Sequence, residues 1–205
     1  MAYIINFTQD QMKDFSDYLP ADELGEGRFS KVYKGRMAIQ GLDPRDIAIK
    51  VFKPAISDEH WANLLAQWQA ETNWLTRFRH RNIIKLIGYC DNRAERKLYL
   101  VYEYMAGGTL KQHQSGLDWP GILKVLRGIA SALKYIHTYL PGVVCGDFPG
   151  VVYGDLKPEN ILLGQDGEPK ISDFGTVTRV DETLMAFTYG YIAPSAHRSR
   201  KYIYF

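Results

Sequence analysis

The sequence predicts an α+β protein in two lobes, a β-rich lobe with one helix followed by a mainly helical lobe with small hairpins. Glycines alternate with β-branched and aromatic residues between Leu24 and Val51, which is typical of strands. Two long amphipathic helices are predicted beyond this region, with further strands between them. Gly107 and Gly108 break the chain after the last long strand, so we place the boundary between the lobes near residues 103–108.

The N-terminal residues predict a short capped helix ahead of the strands. Thr8 is followed three residues later by Gln11, the spacing of a capping box. Met12 and Phe15 lie on one side of the helix that this box opens, and Pro20 ends it.

A longer helix follows two or three strands, the later two of which are joined by a turn at 41–44. It begins at residues 57–59, where acidic side chains favour a helix N-terminus. Spacings of four, three and four place one set of side chains on a single face: Leu64, Trp68, Glu71 and Leu75. A carboxylate in an apolar stripe is costly unless a cation meets it, so Glu71 requires a partner.

The second half begins with two apolar strands, at 83–87 and 98–102, around a polar turn at 91–97. The second helix is predicted from Trp119 to Tyr139, with Asp118 as N-cap and Pro120 in the first turn. Its predicted apolar face consists of Val125, Leu126, Ile129, Leu133 and Ile136. Short strands are predicted near 151–152, 161–163 and 170–171.

Composition excludes several classes of protein. The chain has 205 residues, of which 46% are hydrophobic, and the formal net charge is +2 from 25 basic and 23 acidic residues. Disordered tails, coiled-coil rods and collagen repeats do not have this composition. The small charge excess leaves no basic footprint for nucleic acid or anionic membrane. Apolar stretches fall short of the roughly 18 residues that span a bilayer. With no positive leader and two isolated cysteines, we expect a reduced, soluble, cytoplasmic protein.

Two features of the β-rich part suggest phosphate chemistry. Gly25 and Gly27 lie at a predicted hairpin tip, where backbone N–H groups can approach a phosphate, although a plain turn has the same sequence. Lys50 lies in an apolar strand, where an inward-facing lysine would pair with Glu71 and hold phosphate oxygens. The alternative is a surface lysine at a strand edge.

The stretch 153–160 places an acid, a cation and an amide within six residues between two short strands. Asp155 could accept a proton from a hydroxyl nucleophile, Lys157 could neutralise a moving phosphoryl group, and Asn160 could bind Mg²⁺. Asp173 follows a later strand and supplies a second oxygen ligand for a hard cation. Taken alone, each stretch is also compatible with a polar loop.

In this order the motifs resemble the eukaryotic protein kinase set, over about residues 24–194. The matching pieces are the glycine loop with Val32, Ile-Ala-Ile-Lys at 47–50, Glu71, Asp-Leu-Lys-Pro-Glu-Asn at 155–160, and Asp-Phe-Gly at 173–175. Lys157 resembles the serine/threonine branch. Segments at 80–90, 100–105 and 117–120 are similar to plant receptor-like cytoplasmic kinases.

The resemblance implies a role for each matching residue. ATP would lie between the lobes, with adenine on the backbone of Glu103 and Met105. Its faces and back pocket would be lined by Leu24, Val32, Ala48, Leu162 and Tyr102. Gly25, Gly27, Ser30 and Lys50 would hold phosphates, with Lys50 kept in place by Glu71. Asn160 and Asp173 would bind Mg²⁺, Asp155 would orient the substrate hydroxyl, and Lys157 would act beside it.

The sequence departs from the family pattern at four places. Ser30 replaces the third loop glycine, and the family's His-Arg-Asp reads Tyr153, Gly154, Asp155. Without the arginine, phosphorylation at Thr183 or Thr188 has no obvious partner. A near-repeat at 142–149 precedes the catalytic stretch, and Asp155 is preferred over Asp147 as the acid because Asp147 lacks the following lysine and asparagine.

The fourth departure is at the C-terminus, where Gly190–Pro194 resembles the end of the activation segment but the expected glutamate is Ser195. We expect a C-terminally truncated, incomplete helical lobe. Part of the second helix, at Ile129, Leu133 and Ile136, would then lose cover, so we expect a partner or self-association to cover that face.

These observations predict a lead-in helix at 1–23 and a kinase-like domain at 24–205, with lobes at about 24–105 and 106–205. The expected function is ATP-dependent phosphorylation of a protein serine or threonine, with ATP and Mg²⁺. The alternatives are a kinase-like scaffold or decoy that holds nucleotide but transfers little, and a truncated product without a stable fold.

Overall fold

The computed structural model describes residues 4–8, 11–12, 22–37, 44–113, 115–138 and 151–179. These residues form two compact units. The first contains the described residues up to Thr76 together with Ile84–Met105, and the second contains Arg77–Ile83 and the described residues from Ala106 onward. Each unit is presented separately below.

A six-stranded sheet forms the first unit. In chain order its strands are β1 (Ile5–Asn6), β2 (Glu23–Glu26), β3 (Ser30–Met37), β4 (Arg45–Phe52), β5 (Leu86–Asn92) and β6 (Lys97–Glu103). Their order across the sheet is β1-β5-β6-β4-β3-β2. All neighbours are antiparallel except β1, which runs parallel to β5.

The register of this sheet separates the polar site residues from the apolar core. Lys50 pairs with Val32 on one side and Leu100 on the other, and Ala48 pairs with Tyr102. Because side chains alternate along a strand, these residues share one face. The opposite face carries the core, formed by Phe7, Met12, Met37, Ile47, Ile49, Ile87, Cys90, Tyr99 and Val101.

Helix α1 (Asp58–Leu75) packs on β5 and β6. Ser57 is its N-cap and accepts a hydrogen bond from the backbone N–H of His60. The predicted face is confirmed, because the buried residues of α1 are Leu64, Trp68, Glu71, Thr72 and Leu75. Glu71 is therefore buried with the apolar residues of this helix face, as the sequence pattern predicted.

The predicted capping box is present at the N-terminus. The backbone N–H of Thr8 donates to Gln11 Oε1 at 2.9 Å, and the Gln11 N–H donates to Thr8 Oγ1 at 3.3 Å. Gln11 and Met12 are helical. Met12 is buried in the core, whereas Phe15 and Pro20 lie outside the described residues.

The second unit is built around α2 (Trp119–His137). Four short strands accompany the helix: β7 (Val151–Val152), β8 (Ile161–Leu163), β9 (Pro169–Ile171) and β10 (Thr178–Arg179). They form two antiparallel pairs, β7 with β10 and β8 with β9. Asp118 is the N-cap of α2, with Oδ1 accepting from the Gly121 N–H at 2.9 Å, and Pro120 lies in the first turn, as predicted.

Three sequence expectations are wrong in detail. The first strand of the later pair begins at Leu86, and Ile83 instead forms an isolated bridge with Ile171 in the second unit. The turn is shorter than predicted, since β5 continues to Asn92 and β6 begins at Lys97. Helix α2 ends at His137, two residues before the predicted end.

The apolar face of α2 also differs from the expectation. Its buried residues are Val125, Gly128, Ile129, Ala132 and Ile136, whereas Leu126 is 58% exposed. Leu126 lies about 100° around the helix from Val125, on the side of the exposed Trp119 and Ile122. Ile129 and Ile136 are buried and Leu133 is half-buried, whereas all three were expected to lose part of their cover.

Residues 80–82 attach the start of the second unit to its hairpin. The Asn82 side chain is buried and donates from Nδ2 to Glu168 Oε1 at 2.9 Å and to the Pro169 carbonyl at 2.8 Å. The Asn82 backbone N–H donates to His80 Nδ1 at 3.1 Å. Burial lowers the pKa of His80, and the nearby Arg81 charge lowers it further.

None of the helices within the described residues is both long and apolar enough to cross a membrane.

Acidification is expected to destabilise the chain through His80. Its folded pKa lies below the unfolded value of about 6.5, so the unfolded state binds more protons as the pH falls. The contribution of His80 to stability is therefore present above pH 6.5 and is lost as the pH falls towards the folded pKa. Urea denaturation at pH 7.5 and 5.5 measures this loss, which should be smaller in His80→Gln. An equal loss in wild type and variant would contradict the prediction.

Candidate active site

A buried ion pair joins a strand to a helix in the first unit. Lys50 Nζ on β4 lies 2.7 Å from Glu71 Oε2 on α1. The other carboxylate oxygen, Glu71 Oε1, accepts a hydrogen bond of 2.7 Å from the Tyr102 hydroxyl on β6. The pairing of Lys50 with Glu71 is confirmed, and the surface-lysine alternative is wrong.

Burial makes these two contacts necessary. Glu71 is 1% exposed, and an unpaired carboxylate in such surroundings is strongly unfavourable. Lys50 neutralises its charge, while Tyr102 satisfies the remaining oxygen. The three side chains thus fix one another, and the Lys50 ammonium is held at a defined position on the face of the sheet opposite the apolar core.

The glycine-containing turn lies between β2 and β3. The Gly27 N–H donates to the Ser30 carbonyl at 2.8 Å, and the Lys53 N–H donates to the Phe29 carbonyl at 2.9 Å. Glu26 in this turn contacts Lys53 Nζ at 2.5 Å and Lys31 Nζ at 3.3 Å. Hydrogen bonds from Lys53 and then Lys31 hold the pKa of Glu26 below its usual value, so the turn carries a carboxylate as well as backbone donors.

In the second unit, Asp155 is the centre of a buried polar cluster. Its Oδ2 accepts from Lys157 Nζ at 2.6 Å and from Asn160 Nδ2 at 2.9 Å. Asn160 Nδ2 also donates to the Asp155 carbonyl at 2.9 Å. Asp155 and Asn160 are both buried. Three of the predicted residues are therefore brought together by direct hydrogen bonds.

The backbone conformation at Gly154 determines where Asp155 lies. Gly154 has a φ of 85°, a conformation that L side chains rarely adopt. On its N-terminal side, the Tyr153 hydroxyl donates to the Ser172 carbonyl, and its ring packs edge-on against Phe174 at 5.3 Å. Tyr153 is 1% exposed, so its packing fixes one side of the turn while Gly154 allows the reversal that presents Asp155.

Asn160 is also held against the segment that leads to Asp173. Its carbonyl accepts from the Ser172 N–H at 2.9 Å and from the Ser172 hydroxyl at 3.0 Å. Asp173, the next residue, has a φ of 60°, which is uncommon for a residue other than glycine and typical of functional sites. The β8–β9 hairpin therefore brings residues Asn160 and Asp173 to the same end of the hairpin.

Asn160 and Asp173 would suit a magnesium ion. Asn160 uses its Nδ2 as the donor to Asp155, which leaves its side-chain carbonyl as the hard oxygen ligand. Among the described residues no cluster of three or more His, Cys, Asp or Glu side chains could hold a metal. One carboxylate and one amide suit Mg²⁺, which takes few protein ligands and completes its shell with phosphates and water.

The other predicted nucleotide-binding residues lie in both units. Val32, Ala48 and Tyr102 share the sheet face of Lys50, Ser30 is buried at the start of β3, and Leu24 is 41% exposed. Gly25 and Gly27 lie in the turn described above. At the end of β6, the Glu103 N–H donates to the Lys85 carbonyl at 3.1 Å, and Met105 is buried. Leu162 lies on β8 in the second unit.

Two contacts were not foreseen from the sequence. Tyr102 was expected to line the back pocket of the nucleotide site, and its hydroxyl also donates a hydrogen bond to Glu71. The hydroxyl of Tyr153, for which the sequence suggested no contact, donates to the carbonyl of Ser172, the residue before Asp173. A signal existed in both cases, because a buried tyrosine usually has a hydrogen-bond partner for its hydroxyl. The near-repeat 142–149, Thr183, Thr188 and the segment 190–195 lie outside the described residues.

Comparison with known proteins agrees with this geometry. The family model for the protein kinase domain matches residues 18–204. The chain belongs to the protein kinase family. It has the family's α+β fold, with a β-rich N-terminal lobe that contains one long helix.

Relatives of the chain include plant kinases. A probable receptor-like protein kinase of Arabidopsis thaliana is 36% identical over 190 residues, which are 87% of this chain and 21% of the relative. The probable serine/threonine-protein kinase PBL5 of Arabidopsis thaliana is 38% identical over 186 residues, which are 83% of this chain and 40% of that protein. The chain thus spans between about a fifth and two fifths of the length of these relatives.

Replacing Tyr102 with Phe tests the hydroxyl contact to Glu71. The substitution leaves a buried carboxylate oxygen without its donor, which should cost about 1.5–3 kcal/mol of unfolding free energy. Chemical denaturation measures the loss. Tyr99→Phe is the matched control, since Tyr99 is buried on the same strand but faces the opposite side of the sheet; it should change stability by less than about 0.5 kcal/mol. Equal effects of the two substitutions would refute the assignment.

Gly154→Ala tests the backbone requirement beside Asp155. A Cβ at a φ of 85° should cost about 1–2 kcal/mol of unfolding free energy. The control is Gly116→Ala in the same unit, where an added Cβ meets nothing within 4 Å and the φ is ordinary. If both variants melt at the same temperature in a thermal scan, Gly154 does not have this role.

Proposed function

We propose that this chain is an ATP-dependent serine/threonine protein kinase, which transfers the γ-phosphoryl group of ATP to a protein hydroxyl. The observation that carries the proposal is the hydrogen-bonded cluster of Asp155, Lys157 and Asn160 beside the segment that leads to Asp173. Membership of the protein kinase family and the names of the plant relatives support it. Lysine at position 157 supports the serine/threonine specificity, as the sequence resemblance implies.

In this proposal the first unit supplies phosphate binding. Lys50, held by Glu71, contacts phosphate oxygens, and the backbone donors around Gly25, Gly27 and Ser30 approach them from the turn. Val32, Ala48 and Leu24 of this unit contact the adenine. The backbone at Glu103 and Met105 hydrogen-bonds its edge. Tyr102 contributes indirectly, because its hydroxyl orients Glu71.

The second unit supplies the groups for transfer. Asp155 accepts a hydrogen bond from the substrate hydroxyl and takes its proton as the hydroxyl oxygen bonds to the γ-phosphorus of ATP. The bond from that phosphorus to the β–γ bridging oxygen breaks, and ADP leaves. Lys157 contacts Asp155 at 2.6 Å in this structure and is placed to offset negative charge that develops on the transferred group. Asn160 and Asp173 hold Mg²⁺, which when bound neutralises charge on the phosphate oxygens.

A second candidate is a kinase-like scaffold that binds ATP but transfers little phosphate. The replacement of the family's arginine by Gly154 favours it, because an arginine at this position would pair with a phosphorylated activation segment. The residues that hold nucleotide do not depend on Gly154, so ATP binding is common to both candidates. The protein substrate, a cytoplasmic location and self-association remain predictions.

Thermal melting with Mg²⁺ and ATP tests nucleotide binding. At about 100 times the dissociation constant, the ligand should stabilise the folded chain by roughly 2.7 kcal/mol. Removal of Mg²⁺ with a chelator should reduce the shift, and Lys50→Met should reduce it further because a phosphate contact is lost. A melt that does not move with Mg²⁺ and ATP would contradict both candidate functions.

Radiolabelled phosphate transfer to a generic protein substrate separates the two candidates. Asp155→Asn should retain the ATP-induced melting shift but lower the transfer rate by at least about a hundredfold, since a positioned base contributes about 10²–10⁴. Asp166→Asn is the matched control, because Asp166 is an exposed carboxylate of the same unit. Transfer that is undetectable in wild type despite a melting shift would favour the scaffold.

A further inference from the structure

The N-terminal residues form a covering segment on the first unit that neither candidate function uses. We define the N-terminal strap as Ile4–Thr8 with Gln11 and Met12. Its strand β1 pairs in parallel with β5, with Ile5 beside Gly88 and Asn6 beside Tyr89. The Phe7 N–H then donates to the Tyr89 carbonyl at 2.8 Å. The strap thus occupies an edge of the sheet that would otherwise present unpaired backbone groups.

Close packing holds the strap at one point of β5. A Cβ at position 88 would lie 2.4 Å from the Ile5 carbonyl oxygen and 2.5 Å from the Phe7 ring. No side chain larger than that of glycine fits there without displacing the strap. Phe7 and Met12 are both buried in the core on this face, together with Cys90 of β5.

Helix α1 contacts the same strand from the other face of the sheet. The Trp68 ring packs edge-on against Tyr89, with centroids 5.5 Å apart. The Trp68 Nε1–H donates to the Tyr99 carbonyl at 3.1 Å, so the indole is anchored to β5 and β6 together. Tyr89 is therefore contacted by the strap through its backbone and by α1 through its ring.

Trp68 and Glu71 lie three residues apart on the buried face of α1. A shift of β5 at Tyr89 moves the surface on which Trp68 rests, and a helix transmits that movement over one turn to Glu71. Lys50 and Tyr102 bind Glu71 at 2.7 Å each, so a small displacement of the helix lengthens both contacts.

We propose that the N-terminal strap is a positioning element for Glu71, acting through Tyr89 and Trp68. Docking of Phe7 against Gly88 fixes β5, which fixes α1 and so keeps Lys50 and Glu71 paired. Strap residues contact neither nucleotide nor substrate in this scheme. The strap would hold α1 in place whether or not the chain is an active kinase. If the proposed function is right, this placement also affects catalysis.

Two measurements that need no enzymatic activity test the proposal. Both use the Cys145→Ser variant, in which Cys90 is the single cysteine of the sequence. Alkylation of Cys90 reports whether the strap is docked, because this thiol is buried in the core cluster of Phe7 and Met12. Backbone hydrogen exchange reports on α1, compared with the β3–β4 strands of the same sheet. In Phe7→Ala, alkylation and exchange of α1 amides should both rise by about tenfold or more, while β3–β4 amides change by less than about twofold. Phe7→Leu should restore most of the protection.

Val51→Ala is the matched control, since Val51 packs against the same core from β4, away from the strap. It should leave α1 exchange within about twofold of wild type. Gly88→Ala provides a second way to displace the strap, and combining it with Phe7→Ala should add little to either single effect.

Three results would overturn the proposal. Cys90 alkylation that stays slow in both Phe7→Ala and Gly88→Ala would show that this contact does not hold the strap. Fast alkylation with unchanged α1 exchange would show that the strap does not reach the helix. Equal acceleration of α1 and β3–β4 amides would show a general loss of stability. Failure of wild type to bind Mg²⁺ and ATP would refute the proposed function and leave these exchange results valid.

Discussion

The buried contact of Glu71 with Lys50 and Tyr102 sets conditions that much of the first unit must meet. A carboxylate at 1% exposure is tolerated only where a cation and a hydroxyl donor reach it, so strands β4 and β6 must present Lys50 and Tyr102 on one face, in register. Helix α1 must then present Glu71 at the matching height, which its Ser57 cap and the anchored Trp68 ensure. An apolar core on the opposite face of the sheet supports this arrangement. The pair is therefore as much a constraint on packing as a functional group.

In the second unit the reactive groups lie on loops and not on long helices or strands. Side-chain hydrogen bonds hold these loops in place. Asn160 ties together its own loop through Asp155 and the segment before Asp173 through Ser172. Two residues with positive φ, Gly154 and Asp173, give the turns that ordinary backbone conformations do not provide. Hydrogen bonds from side chains to backbone carbonyls fix the positions of the residues in this site, and removal of any one donor loosens that placement.

Family membership and catalytic activity are separate conclusions. The protein kinase domain model covers residues 18–204, and the arrangement of Asp155, Lys157 and Asn160 agrees with that membership. Transfer of phosphate depends further on how a substrate hydroxyl approaches Asp155, which the fold alone does not determine. Gly154 marks this distinction, since it replaces a side chain with a regulatory role while its φ suits the turn beside the acid. Asp155 can thus keep the group proposed for catalysis while the adjacent Gly154 lacks the side chain that the family uses for regulation.

The sequence by itself determined the α+β class and the long helices with their caps, and it predicted which residues carry the chemistry. These follow from local patterns: the buried face of α1 and the Asp118 cap need only helical spacing and one side-chain bond. It also predicted that Glu71 and Lys50 pair, because two charges in apolar patterns must satisfy one another. Tertiary structure decided the rest. The hydroxyls of Tyr102 and Tyr153 found partners 31 and 19 residues away in sequence, Leu126 turned outward, and the N-terminal strap joined β5. No local pattern encodes these outcomes, since each depends on which distant surface happens to lie within hydrogen-bond or van der Waals distance.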